Sequence, residues 1–589
     1  MVRGLLTHGL KNTTDLLFRR QASITGAAAI IITLSLASRV LGVVRYRVLA
    51  GEFGSDSVEL AAFLAAFRIP DILFQILVMG ALATAFIPVV TGYITKREDR
   101  EAWKIFSVVV TYGLIITAAF SLLVFIFADT VAREFLVPGL KNEPGTIALV
   151  ANITRVLMLA QFFLITSNFV TGVLNSYNRF LLPALAPVIY NVGIIFGTVF
   201  LSGMLGIYGP VVGVLLGAMG HLAIQLPLMG SIGVRFSFSL NHRIPGVREV
   251  GRLMTPRAFG LAVAQIDAFA DTALASLVSS AAAATNIIVL GYAFALQALP
   301  AGVFGYALGA ASLPTLAKEF AQENLENFKS TFISSLHQIL YLVIPTVVIL
   351  IVLRIPIVRL IYGAPSFDWE ATKLTAFTLA AFSLGIVAQA SIQLLARAFY
   401  ALLDTKTPVK IAILAVLLNI VGSVTLIYFF NNVAVLGLSA SFAATFDAIL
   451  LLYFLSKRVG GLDWRAVLWS PLKMVFAGVL AGVALYSPLK VLDSASHGQL
   501  WLNGSLVNTF FGPWAIDTSH TPGLLLLTVI SATLGLVVYF LLTYLLGVEE
   551  IAVFAKMFER VKAAGFGRHR LDKAAASTPV EGGQTPHSP

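Results

Sequence analysis

Residues 27–50 read AAAIIITLSLASRVLGVVRYRVLA, an apolar run long enough to cross a bilayer as one helix. Arginines interrupt the second half of this run, among them Arg39 and Arg45, and Arg68 follows inside the next apolar run. A charge at membrane depth is costly unless it faces water or the protein interior. These arginines therefore predict a membrane protein with a wet internal cavity, and an anion as the occupant of that cavity.

The composition indicates a polytopic helical membrane protein. Hydrophobic residues make up 58% of the 589 positions and charged residues only 12%, and the mean hydropathy is +0.89. Soluble domains carry about a quarter charged residues, and no series of short alternating strands suggests a membrane barrel. We therefore expect an all-α fold with about fourteen membrane-spanning helices. The predicted spans are Ala27–Ala50, Leu60–Ile94, Phe106–Phe127, Thr146–Leu174, Leu181–Leu201, Gly209–Met229, Phe259–Val278, Asn286–Leu316, Phe332–Leu353, Leu374–Tyr400, Val409–Phe429, Ala434–Phe454, Leu472–Tyr486 and Gly523–Leu546.

Charge and cysteine content narrow the location and the partners. The net charge is +11, and lysines and arginines concentrate in alternate loops, which predicts that both termini lie in the cytoplasm. No cleavable signal is apparent before the first span, and no compact basic-aromatic module suggests nucleic-acid binding. The absence of cysteine excludes disulfides and thiolate metal sites. The histidines have no ligand spacing, so no resident cofactor is expected.

The second and eighth predicted spans resemble each other. Both are unusually long and contain prolines, which should bend or break a helix beside a cavity. AFIP at 85–88 and ASLP at 311–314 precede similar charged loops, although membrane helices can also share composition by chance. Two six-helix repeats in one orientation would enclose a central cavity. The predicted parts are a cytoplasmic segment 1–24, an N-lobe 25–232, a C-lobe 233–458, two extra helices in 466–547 with a long outer loop 487–522, and a cytoplasmic tail 548–589.

Several short motifs carry a family resemblance. They are SRVLGVVR at 38–45, FRIPD at 67–71, AFIP at 85–88, QID at 265–267 and PAGVFG at 300–305. With these motifs the chain resembles the MurJ (MviN) family of lipid II flippases, in the multidrug/oligosaccharidyl-lipid/polysaccharide exporter superfamily. The resemblance covers roughly residues 35–454 and continues more weakly to 546.

The resemblance implies a transporter of the bacterial cytoplasmic membrane and no enzyme. Its cargo would be the undecaprenyl-pyrophosphate-linked peptidoglycan precursor, moved from the inner to the outer leaflet by alternating access, with membrane lipids around a functional monomer. Arginines of the N-lobe would meet the pyrophosphate, and the extra helices would hold the lipid tail.

Arg39, Arg45 and Arg68 are the candidate pyrophosphate-binding residues. Guanidinium groups bind phosphate oxygens bidentately and stay charged at any working pH. The alternative for Arg45 is that its side chain extends to the outer interface. Asp71 lies three positions after Arg68 and is a candidate gate or a simple counter-ion.

A pair of acids marks the seventh span. Asp267 and Asp271 lie four positions apart, so their carboxylates share one helix face and repel each other unless a cation or proton intervenes. We place Asp267 with Asp71 as a gating or counter-ion residue. The family resemblance also implies a sodium site, while the alternatives are a bound proton or hydrogen bonds between helices. The matching positions are Asp271, Asn419, Ser423, Val435 and Ser439.

This chain lacks several charges of the family pattern. Uncharged residues stand at seven positions where charged residues are usual in the family: Tyr46, Ala61, Phe74, Gln75, Met79, Phe294 and Ala295. Ser423 also replaces an acid of the sodium site. The headgroup site is then built differently, or the cargo differs. Other charges in or near spans, Arg155, Arg397 and Asp447, are interpreted as packing or helix-end charges.

Two other functions remain open at this point. A related exporter of polysaccharide-linked lipids or of drugs would share the fold, but a drug/cation antiporter should favour carboxylates in its N-lobe. A membrane glycosyltransferase or lipid-phosphate enzyme would need an acidic catalytic pair on an outer loop, and none is convincing.

Overall fold

A computed structural model describes residues 24–79, 85–493 and 516–552. These ranges are almost entirely helical, and their one β contact is an isolated bridge between Asp493 and Ile516. The predicted all-α class is confirmed. The N-terminal segment, most of the predicted loop 487–522 and most of the tail lie outside the described residues.

The helices follow each other in chain order with short connections. Those of the first part are α1 (Ile24–Phe53), α2 (Val58–Ala66), α3 (Arg68–Phe74), α4 (Ile87–Thr95), α5 (Asp99–Val131), α6 (Pro144–Ser176), α7 (Leu181–Phe196), α8 (Tyr208–Ala223) and α9 (Leu226–Ile232). The middle part contains α10 (Pro245–Val278), α11 (Ala283–Pro300), α12 (Tyr306–Ala321), α13 (Leu325–Val352), α14 (Arg354–Tyr362), α15 (Trp369–Ser383), α16 (Ile386–Ala401), α17 (Lys406–Phe430) and α18 (Ala434–Arg458). The last two helices are α19 (Trp464–Val491) and α20 (Thr521–Leu545).

The polytopic character is confirmed. By length and composition, the described chain holds 11 helices able to cross a membrane, or 12 if the bent pair α15 and α16 forms one span. Two more helices, α1 and α10, are 30 and 34 residues long. The number of about fourteen spans, the two lobes and the part boundaries stay predictions.

Some predicted boundaries are wrong for identifiable reasons. α10 begins at Pro245 rather than Phe259, because a proline at the first helical position fits a helix start whatever the polarity of the next turns. α19 begins at Trp464 because the Asp463 side chain caps it by accepting hydrogen bonds from Arg465 N and Ala466 N. The predicted single span Leu374–Tyr400 is bent by 41° between α15 and α16.

Both proline-rich spans are interrupted, as predicted. A π-helical turn, Gln75–Met79, follows α3, and a second one, Ala301–Gly305, joins α11 to α12. π-helical turns are local distortions that kink helices and cluster at functional sites. Pro300 ends α11 just before the second turn, so the proline and the distortion coincide there.

Glycines bring α7 and α8 into backbone contact. A Cβ atom added to Gly193 would lie 2.5 Å from the Gly217 Cα atom, and one added to Gly197 would lie 2.6 Å from the Gly213 Cα atom. Small residues at this spacing allow two membrane helices to pack closely. α7 also contacts α1, where Asn191 Nδ2 donates hydrogen bonds to the Ser38 backbone oxygen and to its Oγ atom.

The α1–α2 connection contacts the α14–α15 connection at one end of the molecule. Arg47 Nη1 donates a hydrogen bond to the Leu360 carbonyl at 2.5 Å, and Ser55 Oγ donates one to Asp368 Oδ1 at 3.0 Å. The Ser55 backbone N–H also bonds the Ser366 carbonyl at 3.2 Å. We call this set of contacts the closed end.

Aromatic rings fill the space behind the closed end. Tyr46 packs edge-to-face on Tyr292 with ring centroids 5.2 Å apart, and Tyr292 stacks on Phe367 at 5.8 Å. The Tyr292 hydroxyl donates to the Tyr46 carbonyl, and the Tyr362 hydroxyl donates to the Tyr292 carbonyl. Tyr46, which departs from the acidic family pattern, is therefore part of an aromatic cluster.

The last helices are attached by polar contacts at the other end. His337 Nδ1 of α13 lies 3.0 Å from Glu550 Oε1, just beyond α20, and Ser470 Oγ of α19 donates to Glu550 Oε2 at 3.1 Å. Burial raises the pKa of Glu550, but hydrogen bonds from His337, Ser470 and the backbone outweigh that effect, so its pKa is lowered overall.

Candidate substrate cavity

Arg68 connects the N-terminal helices to α10. It begins α3, and its Nε atom donates a hydrogen bond of 2.8 Å to Thr272 Oγ1. The guanidinium carbon also lies 5.9 Å from the centre of the Phe294 ring on α11, a cation–π distance. Phe294 replaces a charged residue of the family pattern, so here an aromatic face contacts this arginine.

Arg45 and Asp71 lie in the same region as Arg68. Arg45 is half-buried, with its guanidinium carbon 5.0 Å from the centre of the Tyr46 ring. The Asp71 side chain is exposed and lies within the electrostatic influence of both Arg68 and Arg45. No lysine or arginine nitrogen in the described chain lies within salt-bridge distance of its carboxylate. The pairing of Asp71 with Arg68 is therefore long-range.

Arg39 faces an open cleft. The cleft has a volume of about 420 Å³ and is lined by Arg39 of α1, by Ala301, Gly302 and Tyr306 after α11, and by Gln389, Ile392 and Gln393 of α16. A Cβ atom on Gly302 would lie 3.6 Å from Arg39 Nη1, so the guanidinium rests against the backbone of the π-helical turn. Arg39 is exposed and forms no salt bridge with any described residue.

Sequence reasoning missed the polar side chains of α16. Gln389, Gln393 and Arg397 follow each other at four-residue intervals, which places them on one helix face. The Arg397 guanidinium carbon lies 4.6 Å from the centre of the Tyr306 ring, which lines the cleft, and Nη1 donates to the Gln393 carbonyl. Arg397 thus packs on Tyr306, a residue that lines the cleft, which agrees with its interpretation as a packing charge. The four-residue spacing was the signal that could have revealed this stripe.

Asn419 joins the two acids of α10. Its Nδ2 atom donates to Asp267 Oδ1 at 2.8 Å and to Asp271 Oδ1 at 3.2 Å. Ser423 Oγ lies 3.4 Å from Asn419 Oδ1, and Ser439 Oγ donates to the Asn419 carbonyl at 2.8 Å.

The predicted sodium positions therefore lie close together. Val435 lies one turn before Ser439 on α18. The polar side chains that contact Asn419 offer carboxylate and hydroxyl oxygens, which suit a hard cation, whereas Val435 offers no side-chain ligand. In the described chain no group of three or more histidine, cysteine, aspartate or glutamate side chains forms a metal site, so a cation here would need amide and hydroxyl oxygens in addition to the two carboxylates of α10. The residues fit a sodium ion, and the site stays a prediction.

Comparisons with known proteins place this architecture in a family. The family described as "Lipid II flippase MurJ" matches residues 49–511. A protein of Burkholderia cenocepacia named "Lipid II flippase MurJ" is 29% identical over 529 residues, covering 83% of this chain and 98% of the relative. A "Probable lipid II flippase MurJ" of Vibrio cholerae is 27% identical, covering 80% of this chain and 90% of that protein.

Solved structures show the same fold. One titled "Lipid II flippase MurJ, inward closed conformation" has a TM-score of 0.68 at 24% identity, covering 87% of this chain and 98% of the solved one. An inward-facing multidrug resistance MATE transporter of the MOP superfamily has a TM-score of 0.59 at 13% identity, covering 74% and 98%. Because the family match spans most of the chain, the protein belongs to the MurJ family of lipid II flippases.

Proposed function

We propose that this protein is a lipid II flippase. It moves the undecaprenyl-pyrophosphate-linked peptidoglycan precursor from the inner to the outer leaflet of a bacterial cytoplasmic membrane. One observation carries the proposal: Arg39, Arg45 and Arg68 lie among membrane-spanning helices without a salt bridge to any described residue. Three such cations need an anionic partner, and a pyrophosphate supplies one that guanidinium groups bind well.

Alternating access explains the asymmetry between the two ends. Arg47, Ser55 and their partners join the helices at the closed end, whereas Arg39, Asp71 and Tyr306 are exposed. With both termini in the cytoplasm, α1 runs outward, so the closed end is the outer one and the cavity faces inward. The headgroup then binds from the cytoplasmic side, and the closed end separates to release it outside.

In this proposal an ion gradient drives transport through the acids of α10. Sodium at Asp271, Asn419, Ser423, Val435 and Ser439 would neutralise the paired carboxylates, and a proton on Asp267 or Asp271 would do the same. Asn419 holds both carboxylates by hydrogen bonds, so the pair is positioned to respond to one added positive charge. Thr272, the neighbour of Asp271, accepts the bond from Arg68, which links this site to the cavity.

The transport step requires no chemistry on the cargo, so we assign no enzymatic activity. The protein would work as a monomer surrounded by membrane lipids, with no nucleic acid involved.

Depletion of the protein in its host tests the function. Lipid II should become inaccessible to an externally added lipid II-degrading enzyme, and re-expression should restore access. Arg39→Ala, made in the same strain and expressed equally, should reduce restoration at least tenfold. Arg155→Ala is a matched control, because Arg155 pairs with Asp129 at 2.6 Å outside the cavity. Undiminished access after depletion would contradict the function, and full restoration by Arg39→Ala would contradict the arginine assignment.

A further inference from the structure

The glutamines of α16 face the same cleft as Arg39. Gln389 and Gln393 line that cleft, and Gln393 is exposed, whereas the flanking residues Leu394 and Leu395 are buried. From Gln389 to Arg397 the stripe extends about 12 Å along the helix. Arg39 of α1 lines the same cleft, so a cation of the N-terminal helices and amides of α16 share one cleft.

These amides need polar partners. Neither glutamine side chain forms a hydrogen bond to another residue of the described chain. An amide exposed to hydrocarbon without a partner is unfavourable, so a stripe of this kind at membrane depth indicates contact with water or with a polar cargo.

The chemistry of the stripe points to a saccharide. A glutamine amide both donates and accepts, which matches the hydroxyl and N-acetyl groups of a sugar, whereas a phosphate offers only acceptors. The stripe is also longer than a pyrophosphate. With the pyrophosphate at Arg39, the adjoining sugar is the group that reaches α16.

We propose that Gln389 and Gln393 form a saccharide subsite for the sugar directly linked to the pyrophosphate. Arg397 follows one turn after Gln393, with its guanidinium carbon 4.6 Å from the centre of the Tyr306 ring. The inference rests on the proposed function and adds a specificity element to it: α16 distinguishes a glycosylated lipid from the bare polyprenyl pyrophosphate.

Binding measurements with two lipids test the subsite. The purified full-length protein in lipid nanodiscs is titrated with undecaprenyl pyrophosphate and with the same lipid carrying the disaccharide pentapeptide. The Gln389→Met/Gln393→Met variant keeps side-chain volume and removes the amides. Its affinity for the glycosylated lipid should fall about tenfold, as expected for two lost hydrogen bonds, while the affinity for undecaprenyl pyrophosphate should change by less than about twofold.

Control variants separate the outcomes. Arg39→Ala should weaken the binding of both lipids. Gln338→Ala should weaken the binding of neither, because the Gln338 side chain on α13 donates a hydrogen bond to Ser334. Retained binding of undecaprenyl pyrophosphate also shows that the double variant is folded. If the double variant loses affinity equally for both lipids, or keeps its affinity for the glycosylated lipid, the saccharide subsite is overturned while the proposed function stands. If the unmodified protein binds neither lipid, the proposed function fails and the subsite fails with it.

Discussion

Arg68 and Thr272, 204 positions apart in sequence, are joined by a hydrogen bond of 2.8 Å from Nε to Oγ1. This bond fixes Arg68, one of the three candidate pyrophosphate-binding arginines, against α10, the helix that also carries the paired acids. Thr272→Val keeps the shape of the side chain and removes the acceptor. We expect flipping to fall about three- to tenfold, because Arg68 loses its orientation, whereas Thr272→Ser should stay near the unmodified rate. The external accessibility of lipid II in a depletion strain measures both variants, and equal rates for Val and Ser would contradict the role of the bond.

The closed end must open during transport, and a cysteine pair tests this directly. A Cβ atom on Gly51 would lie 3.6 Å from the Ala364 Cβ atom, within the range for a disulfide. The chain has no cysteine of its own, so Gly51→Cys/Ala364→Cys introduces the only possible pair. Oxidation of the double variant should abolish flipping, and a reductant should restore it. Flipping by each single-cysteine variant should be unaffected by either treatment. Undisturbed flipping by the oxidised, cross-linked protein would show that this end does not open.

The proposed sodium site near Asn419 predicts a specific stabilisation by sodium. Ligands that bind only the folded state raise the melting temperature. Replacing potassium by sodium at constant ionic strength should therefore raise the Tm of the purified protein. Asp271→Asn should remove the difference, because it takes away one carboxylate that Asn419 contacts at 3.2 Å. A sodium effect that persists in Asp271→Asn would place the ion elsewhere, and no effect in the unmodified protein would favour a proton.

Glu550 predicts a pH-dependent attachment of the last helices. Its pKa is lowered in the folded protein, because hydrogen bonds from His337, Ser470 and the backbone outweigh the burial that raises it. A lowered carboxyl pKa contributes stability above the unfolded-state value of 4.5, and that stability is lost as the pH falls through the lower folded-state value. Glu550→Gln should thus lower the Tm at pH 7, and this effect should shrink as the pH falls below 4.5 and vanish below the lowered folded-state pKa. Thermal unfolding followed across this range, with Glu549→Gln as control, measures the difference. A Tm difference between Glu550→Gln and the unmodified protein that stays constant at every pH would contradict a role for the Glu550 charge.

Local sequence patterns predicted most of the helices, whereas the packing of the helices against each other depends on long-range contacts. Apolar length located most spans, and prolines located the interruptions near Gln75 and Ala301. The helical extension of α10 back to Pro245 escaped prediction, because its first turns are polar and its start is marked only by a proline at the first helical position.

The candidate site likewise contains residues that local sequence patterns identify and contacts that they do not. Arg39, Arg45 and Arg68 were identified because charge inside an apolar run is visible in the sequence. The proximity of Asn419 to the two acids of α10 followed only from the family resemblance, since no local pattern relates residues about 150 positions apart. Arg397, interpreted as a packing or helix-end charge, packs on Tyr306, and the sequence could not identify this partner because it lies on another helix.

The glycine contact between α7 and α8 has a mechanical consequence. The backbones of α7 and α8 touch at Gly193 and Gly217, so sliding would create steric clashes and we expect the two helices to move together. Asn191 fastens α1 to these two helices at Ser38, the residue next to Arg39. Arg39 therefore belongs to a group of packed helices, α1, α7 and α8. A small rotation of this group would displace Arg39 relative to α16 without any change in the Arg39 rotamer.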